Sequence, residues 1–248
     1  MIILPILFFI TAILYSSVGF GGGSTYLALL LIWDIPYYIF PVIALFCNII
    51  VVTGNSINYV RAGNHNFKLL LPFLIGSIPL SFFGGTLIIN KETFEILLFL
   101  VLSIAGIFLL INNKSYEGKN LVTKKLNSFI SIFIGSILGL ISGIIGIGGG
   151  IFLSPILFLL KADKPKIIAT TASLFILINS ISGILGQLTK KIVLNEIVNY
   201  WPLFLAVLFG GLIGNYLNLK YFSNRILAVI TSLLVIFVSI RMGYRIFI

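Results

Sequence analysis

The chain has 248 residues, of which 59% are hydrophobic and only 9% are charged, and its formal net charge is +10. Its mean hydropathy of +1.19 excludes an ordinary water-soluble domain, in which about 25% of residues are charged. Apolar runs of bilayer-crossing length recur along the chain and predict an all-α integral membrane protein. Lys and Arg lie between these runs. This placement indicates that they set the membrane topology and contact lipid headgroups rather than nucleic acid.

The first apolar segment, residues 2–33, is interrupted by Gly19-Phe20-Gly21-Gly22-Gly23. Glycine weakens a helix by about 1 kcal/mol relative to alanine, so this cluster predicts a break. A straight helix of this length would run roughly 48 Å, which is too long for one crossing and too short for two. We therefore predict a helix-turn-helix hairpin with its glycine tip at mid-membrane, with a single broken span as the alternative. No signal peptide is recognised at the start, which we expect to be part of the mature protein.

Three full crossings and a hydrophilic linker follow the first hairpin, at about residues 39–60, 68–89 and 93–112. A second broken segment, residues 127–160, carries Gly146-Ile147-Gly148-Gly149-Gly150, which lies 127 residues after the first motif. Three more crossings follow it, at about residues 167–188, 196–218 and 223–247. The pattern predicts two homologous repeats, residues 1–112 and 127–248, joined by a charged linker at residues 113–126.

The number of crossings predicts how the two repeats are oriented. Three crossings per repeat is an odd number, so the repeats are expected to be inverted. Eleven of the sixteen Lys and Arg residues then lie on one side, leaving Lys91, Lys190, Lys191, Arg241 and Arg245 on the other. If each broken segment crosses once, the repeats are parallel and the split is ten to six. The positive-inside rule favours the hairpins. It puts the linker in the cytoplasm and both termini on the outer side of the cytoplasmic membrane.

The acidic residues, the histidine and the cysteine do not form a candidate catalytic or metal site within the predicted spans. All six acidic residues lie in loops or at span ends, His65 lies in a polar loop, and Cys47 is the single cysteine. A hydrolase needs a base beside its nucleophile, and a metalloenzyme needs a cluster of ligands. We therefore predict that the protein is not an enzyme and holds no metal or other cofactor.

Neutral polar residues do lie within the predicted spans. Asn48 and Asn55 are seven residues apart and share one helix face, and Ser180 and Gln187 occupy equivalent positions 132 residues later. Such residues either line a cavity or join helices by hydrogen bonds, and the sequence leaves both interpretations open.

The glycine breaks can bind an anion without a cationic side chain. Each break frees backbone N–H groups at the start of the following helix, where the helix dipole is positive. Paired broken segments in two halves of a membrane protein are the best pointer to a substrate site, although a kink or close packing is the alternative. The predicted substrate-binding residues are Gly19, Gly21, Gly22, Gly23, Ser24, Thr25, Asn48, Asn55, Gly146, Gly148, Gly149, Gly150, Ser154, Ser180 and Gln187.

The two motifs, Ser17-Val18-Gly19-Phe20-Gly21-Gly22-Gly23 and the stretch from Ser142 to Ile151 with Pro155 soon after, resemble the TauE/SafE family of membrane transporters. The resemblance implies transport of sulfite or an organosulfur anion such as sulfoacetate across the bacterial cytoplasmic membrane. The residues after the two motifs differ: Ser24-Thr25-Tyr26 comes after the first, and Ile151-Phe152-Leu153 precedes Ser154 in the second. This difference makes the two half-sites chemically unequal.

Together these observations predict a transporter that exports a small sulfur-containing anion by alternating access. Its expected partners are that anion and the lipid bilayer, and a homodimer is compatible with the sequence. An anion channel with the same lining and a membrane scaffold whose glycines only pack helices are the alternatives. The sequence leaves the driving force open, but an inside-negative potential pushes anions outward and favours export.

Overall fold

The computed structural model describes residues 3–17, 19–111, 126–190 and 196–218, together with six single positions after residue 232. Within these ranges the chain is helical and contains no β-strand, which confirms the predicted all-α class. The helices are α1 (Ile3–Ser16), α2 (Gly23–Ile32), α3 (Phe40–Arg61), α4 (Phe67–Thr86), α5 (Lys91–Ile111), α6 (Ser128–Ile145), α7 (Gly150–Leu159), α8 (Pro165–Gln187) and α9 (Trp201–Asn218). Short 3₁₀ helices at Tyr37–Ile39 and Ile197–Tyr200 lead into α3 and α9.

The apolar helices have the dimensions of membrane spans. Segments long and apolar enough to cross a bilayer are Tyr37–Arg61, Phe67–Thr86, Ser128–Ile145, Lys166–Gln187 and Ile197–Leu217. Helix α5 occupies the predicted crossing at 93–112. Side chains such as Phe82, Phe133 and Phe209 are exposed on α4, α6 and α9, as expected for surfaces that face lipid. The predicted crossing at 223–247, apart from single positions, and the predicted linker, apart from Leu126, lie outside the described residues.

Both glycine motifs interrupt a helix and reverse the direction of the chain. Phe8 in α1 stacks on Tyr26 in α2, with ring centroids 4.8 Å apart, so α2 turns back along α1. At the second break the backbone of Gly149 approaches the carbonyl oxygen of Leu138, in the middle of α6. These reversals agree with the predicted hairpins. Since α6 is itself long enough to cross, the depth of the tips and the inversion of the repeats stay predictions.

The helices of the two predicted repeats interlock. Helix α1 packs along α9, α6 packs along α4, and α3 packs against α8 between them. Glycines spaced four residues apart allow α6 to approach α4 closely, because they occupy one helix face. Gly135, Gly139 and Gly143 lie on the backbone carbonyls of Phe73, Ser77 and Ser81, respectively. Each first hairpin arm therefore packs on a helix of the other predicted repeat.

Candidate functional site

Left-handed glycines form both breaks. Gly22, with φ 82°, precedes the first residue of α2, and Gly149, with φ 76°, precedes that of α7; neither start has a side-chain cap. Gly146 ends α6 with φ 93°, and Gly148 has φ 79°. This conformation costs an L-residue about 1–2 kcal/mol, so the motif needs glycine at these positions.

The starts of α2 and α7 leave backbone donors open. Among the described residues, no acceptor bonds the N–H groups of Gly23 and Ser24 in α2 or of Gly150 and Ile151 in α7. A helix start carries a partial positive charge from its aligned peptide dipoles. Each break therefore presents both donors and positive potential without a charged side chain.

The side chain of Asn48 in α3 lies between the two breaks. A Cβ atom added at Gly23 or at Gly148 would lie 2.8 Å from Asn48 Nδ2, and this nitrogen donates a hydrogen bond to the carbonyl oxygen of Gly146 at 3.4 Å. A Cβ at Gly23 would also lie 2.9 Å from the carbonyl oxygen of Ile147. The structure thus brings the two glycine motifs together around one amide side chain.

Helix α8 supplies a further wall of the site through Ile176 and Ser180. A Cβ atom added at Gly21 or Gly148 would lie 3.1 or 2.9 Å from Ile176 Cγ2, and one at Gly148 would lie 3.2 Å from Ser180 Oγ. Sequence reasoning missed Ile176 because it is apolar. Its position four residues before Ser180 puts it on the same helix face, but this spacing alone does not distinguish it from the other apolar residues of α8.

Several buried polar atoms around the breaks lack a hydrogen-bond partner within the described part of the chain. They are Oδ1 of Asn48 and the Oγ atoms of Ser24, Ser142, Ser154 and Ser180, and each of these residues is at most 2% exposed. Buried polar atoms are normally bonded, so these open ones are candidates to bind water or a ligand.

The remaining predicted residues of the first motif contact nearby tyrosines. The hydroxyl groups of Thr25 and Tyr15 form a hydrogen bond of 2.6 Å, and Gly19 lies against the ring of Tyr59. Thr25 is therefore already partnered, unlike Ser24 beside it.

Asn55 and Gln187 lie away from the point where the two breaks meet at Asn48, which we call the centre of the site. Asn55 is about 10 Å further along α3 than Asn48, and its Nδ2 donates to Ser16 Oγ and to Val51 O, both at 3.4 Å. Gln187 Nε2 donates to the carbonyl oxygen of Gly143 at 2.7 Å. Gln187 also shares a cavity with residues at the start of α3, so the two amides lie towards opposite ends of that helix.

The centre consists of neutral groups. Among the described residues, no group of three or more His, Cys, Asp or Glu is arranged to hold a metal ion. Helix starts, one amide and several hydroxyl groups are the polar components, and this donor set suits a small anion.

Comparison with known proteins identifies relatives over nearly the whole chain. The profile of the family described as sulfite exporter TauE/SafE matches residues 4–242. The chain is 26% identical over 240 residues to the probable membrane transporter protein y4hK of Sinorhizobium fredii, with 96% of both chains covered. It is 32% identical over 207 residues to the probable membrane transporter protein MJ0441 of Methanocaldococcus jannaschii, covering 77% of this chain and 74% of that one. No solved structure matches.

A third relative, the probable membrane transporter protein YunE of Bacillus subtilis, is 24% identical over 264 residues and covers 95% of this chain and 94% of its own. These names indicate a transporter rather than an enzyme, and the apolar helices agree with a protein embedded in a membrane. The duplicated glycine motif, the fold and the extent of the match lead to one conclusion. This chain is a membrane transporter and belongs to the sulfite exporter TauE/SafE family.

Proposed function

We propose that the protein exports a small sulfur-containing oxyanion, such as sulfite or an organosulfonate of the sulfoacetate type, by alternating access. The observation that carries the proposal is the meeting of two broken-helix starts around Asn48. Their open N–H groups and positive dipole ends provide what an oxyanion needs, and such starts bind anions without a cationic residue. The choice of sulfur chemistry is supported by the family description.

In this proposal the anion binds where the two breaks meet at Asn48. Backbone N–H groups at Gly23, Ser24, Gly150 and Ile151 donate to its oxygens, and nearby serine hydroxyl groups donate further hydrogen bonds. Because the donors belong to the backbone, they remain in place at any pH. Alternating access then requires the two breaks to part on one side of the anion and then on the other.

Orientation in the membrane is part of the same proposal. The repeats are inverted, the linker at residues 113–126 is cytoplasmic, and both termini lie outside the cytoplasmic membrane. The bias of eleven Lys and Arg residues to five supports this arrangement, since cytoplasmic loops collect these residues. An inside-negative potential then drives an anion outward.

Flux from proteoliposomes tests the proposal. Vesicles containing the purified protein are loaded with sulfite and clamped at defined potentials, and efflux is measured with sulfate, sulfoacetate or chloride as competitors. Saturable sulfite efflux that another sulfur oxyanion blocks supports a carrier. Single-channel currents would identify a channel instead. Folded protein that gives neither flux nor stabilisation by these anions would indicate a scaffold and contradict the proposal.

A further inference from the structure

A cavity with a mostly apolar lining and two polar side chains, Gln187 and Lys190, lies near the second glycine break, at the end of the molecule where α3 begins and α8 ends. It has a volume of about 100 Å³, which accommodates several waters or one small oxyanion. Its lining includes Tyr37, Pro41, Ile144, Gln187 and Lys190. Lys190 is the cationic residue among those that line it.

Lys190 is held at this cavity by neutral oxygens. Its Nζ donates to the carbonyl oxygen of Leu87 at 2.6 Å and to Oε1 of Gln187 at 2.9 Å. Within the described part of the chain no carboxylate forms an ion pair with it, whereas Lys91 nearby lies 3.9 Å from Glu95 Oε1. An ammonium group has three N–H donors, so one donor and the full charge stay available to a ligand.

The lysine stays charged although it is half-buried. Burial lowers the pKa of Lys190 from 10.5 to about 8, so the protonated form still predominates at neutral pH. A partly desolvated ammonium attracts an anion more strongly than a fully hydrated one, because there is less water to screen the charge. The acidic residue Glu196 is engaged at the cavity wall, where it accepts a hydrogen bond of 2.6 Å from the Tyr38 hydroxyl.

The cavity lies close to the second glycine break. Pro41, one of its wall residues, has its backbone against Gly146, and Ile144 lies two residues before that glycine. Gln187 joins the cavity to the last turn of α6 through its 2.7 Å hydrogen bond to the carbonyl oxygen of Gly143. An anion at Lys190 is thus separated from the break by a single layer of residues.

We propose that this cavity is a docking site for small oxyanions, in which Lys190 binds the transported anion on its way to or from the glycine breaks. The inference rests on the proposed anion transport and adds a second, cationic subsite to it. The breaks supply fixed neutral donors, whereas the docking site supplies the net charge that concentrates anions at one mouth of the path.

Transport kinetics test the role of Lys190. We expect Lys190→Gln to raise KM about fivefold for sulfite supplied at the face that carries Lys190, which is the outer face in the proposed orientation, as expected for loss of one partly exposed charge contact, while Vmax changes little. Lys190→Arg keeps the charge and should keep KM near that of the wild type. Lys91→Gln removes a charge at the same end of the molecule and serves as the matched control, with unchanged KM. An unchanged KM in Lys190→Gln overturns the proposal, as does an equal loss of flux and thermal stability in Lys190→Gln and Lys190→Arg.

Chemical labelling separates this proposal from the proposed function. The full-length protein is acetylated briefly with isotopically coded acetic anhydride in sodium sulfate or in sodium gluconate of equal ionic strength. Mass spectrometry then compares labelling of Lys190 and Lys91. Protection of Lys190 alone by sulfate supports the docking site, even if no sulfite flux is found. Equal labelling in both salts overturns the docking site, even if sulfite flux is robust.

Discussion

Gly84 in α4 lies against the carbonyl oxygen of Leu140 in α6. Gly214 in α9 lies in the same way against the carbonyl oxygen of Ile13 in α1. Leu140 follows Ile13 by 127 residues, which is the offset between the two glycine motifs, and Gly214 follows Gly84 by 130, as Pro202 follows Pro72. The same contact therefore occurs twice between corresponding elements, and this supports the predicted repeat.

Alanine at either of these glycines is expected to destabilise the protein. Its Cβ would meet backbone atoms of the facing helix in Gly84→Ala and in Gly214→Ala, and such overpacking costs about 1–3 kcal/mol. Gly211→Ala is the control, because the nearest atom to its Cβ would be Val51 Cα at 3.7 Å. Thermal unfolding in detergent should show lower melting temperatures for the first two variants only. Equal melting temperatures in all three would contradict the close contact.

Gly148→Ala should abolish most transport. The side chain would force a φ of 79° on alanine and place its Cβ 2.8 Å from Asn48 Nδ2, at the meeting point of the breaks. Gly63→Ala is matched to it, since Gly63 has a φ of 72° but nothing within 4 Å of its Cβ position. Both variants bear about 1–2 kcal/mol of backbone strain, yet only Gly148→Ala should lose flux. Similar flux in the two proteoliposome preparations would remove the second break from the site.

Asn48→Asp is expected to reduce anion flux by at least about tenfold, because it replaces a buried donor by a negative charge. Asn58→Asp introduces the same change later in the same helix, where Asn58 Nδ2 bonds Asn215 Oδ1 at 3.2 Å. Flux normalised to inserted protein should fall in the first variant and persist in the second. If Asn48→Asp transports as well as Asn58→Asp does, the anion does not pass Asn48.

Ile176→Val should shift selectivity towards larger anions. The Ile176 side chain lies against Gly21 and Gly148, so removal of one methylene group enlarges the space between the breaks. Ile168→Val truncates a fully buried residue two turns earlier in α8, and both variants should lose about 0.5–1.5 kcal/mol of stability. The ratio of KM for sulfoacetate to KM for sulfite is expected to fall in Ile176→Val alone. A ratio that is unchanged, or that falls equally in both, contradicts a role for Ile176 in size selection.

The Lys190 docking site should make anion affinity depend on pH. With a pKa of about 8, the ammonium is charged below that pH and neutral above it, so KM should rise as pH increases through it. Sulfoacetate is the suitable substrate, since its charge is constant from about pH 7 to about pH 9. Tyr37, Tyr38 and Glu196, which lie at or beside the cavity, are common to wild type and Lys190→Arg. A flat profile in Lys190→Arg would assign the effect to Lys190, and a similar rise in both would assign it elsewhere.

The contribution of Lys190 to protein stability should increase with pH, whereas its contribution to anion affinity should decrease. The pKa of Lys190 is lower in the folded protein than its ordinary value of 10.5, so the unfolded chain binds more protons between these two values. Its contribution to the free energy of unfolding therefore increases with pH across that window. Thermal unfolding of wild type and Lys190→Gln measures this difference.

The centre of the candidate site could be predicted from sequence because glycine clusters have a strong local meaning. A cluster such as Gly21–Gly23 breaks a helix wherever it occurs, and its repetition at Gly148–Gly150 puts the two breaks in equivalent positions. Asn48 is predicted from its place in the polar stripe of the next span. The stripe could not show that Asn55 lies far from the two breaks. A spacing of seven residues keeps the same helix face but adds about 10 Å along the helix axis.

Two other residues could not be recognised from the sequence. Ile176 is one of many apolar residues in a buried helix, and only the packing of α8 against both breaks distinguishes it. Lys190 has the sequence context of a topology signal, because a lysine after a span usually faces water and lipid headgroups. Its position at a cavity results from the turn after α8, which directs its amine to Leu87 and Gln187.

The packing of α1 on α9 and of α6 on α4 affects when each half of the chain can fold during synthesis. When the ribosome has produced only the first half, α1 has no α9 to cover it and α4 has no α6. Their partner-facing surfaces stay in contact with lipid until the second half is inserted, so the halves cannot mature one after the other as independent domains do. Two half-length polypeptides would supply every one of these contacts. The two predicted repeats therefore pack on each other as the subunits of a dimer do, although they belong to one chain.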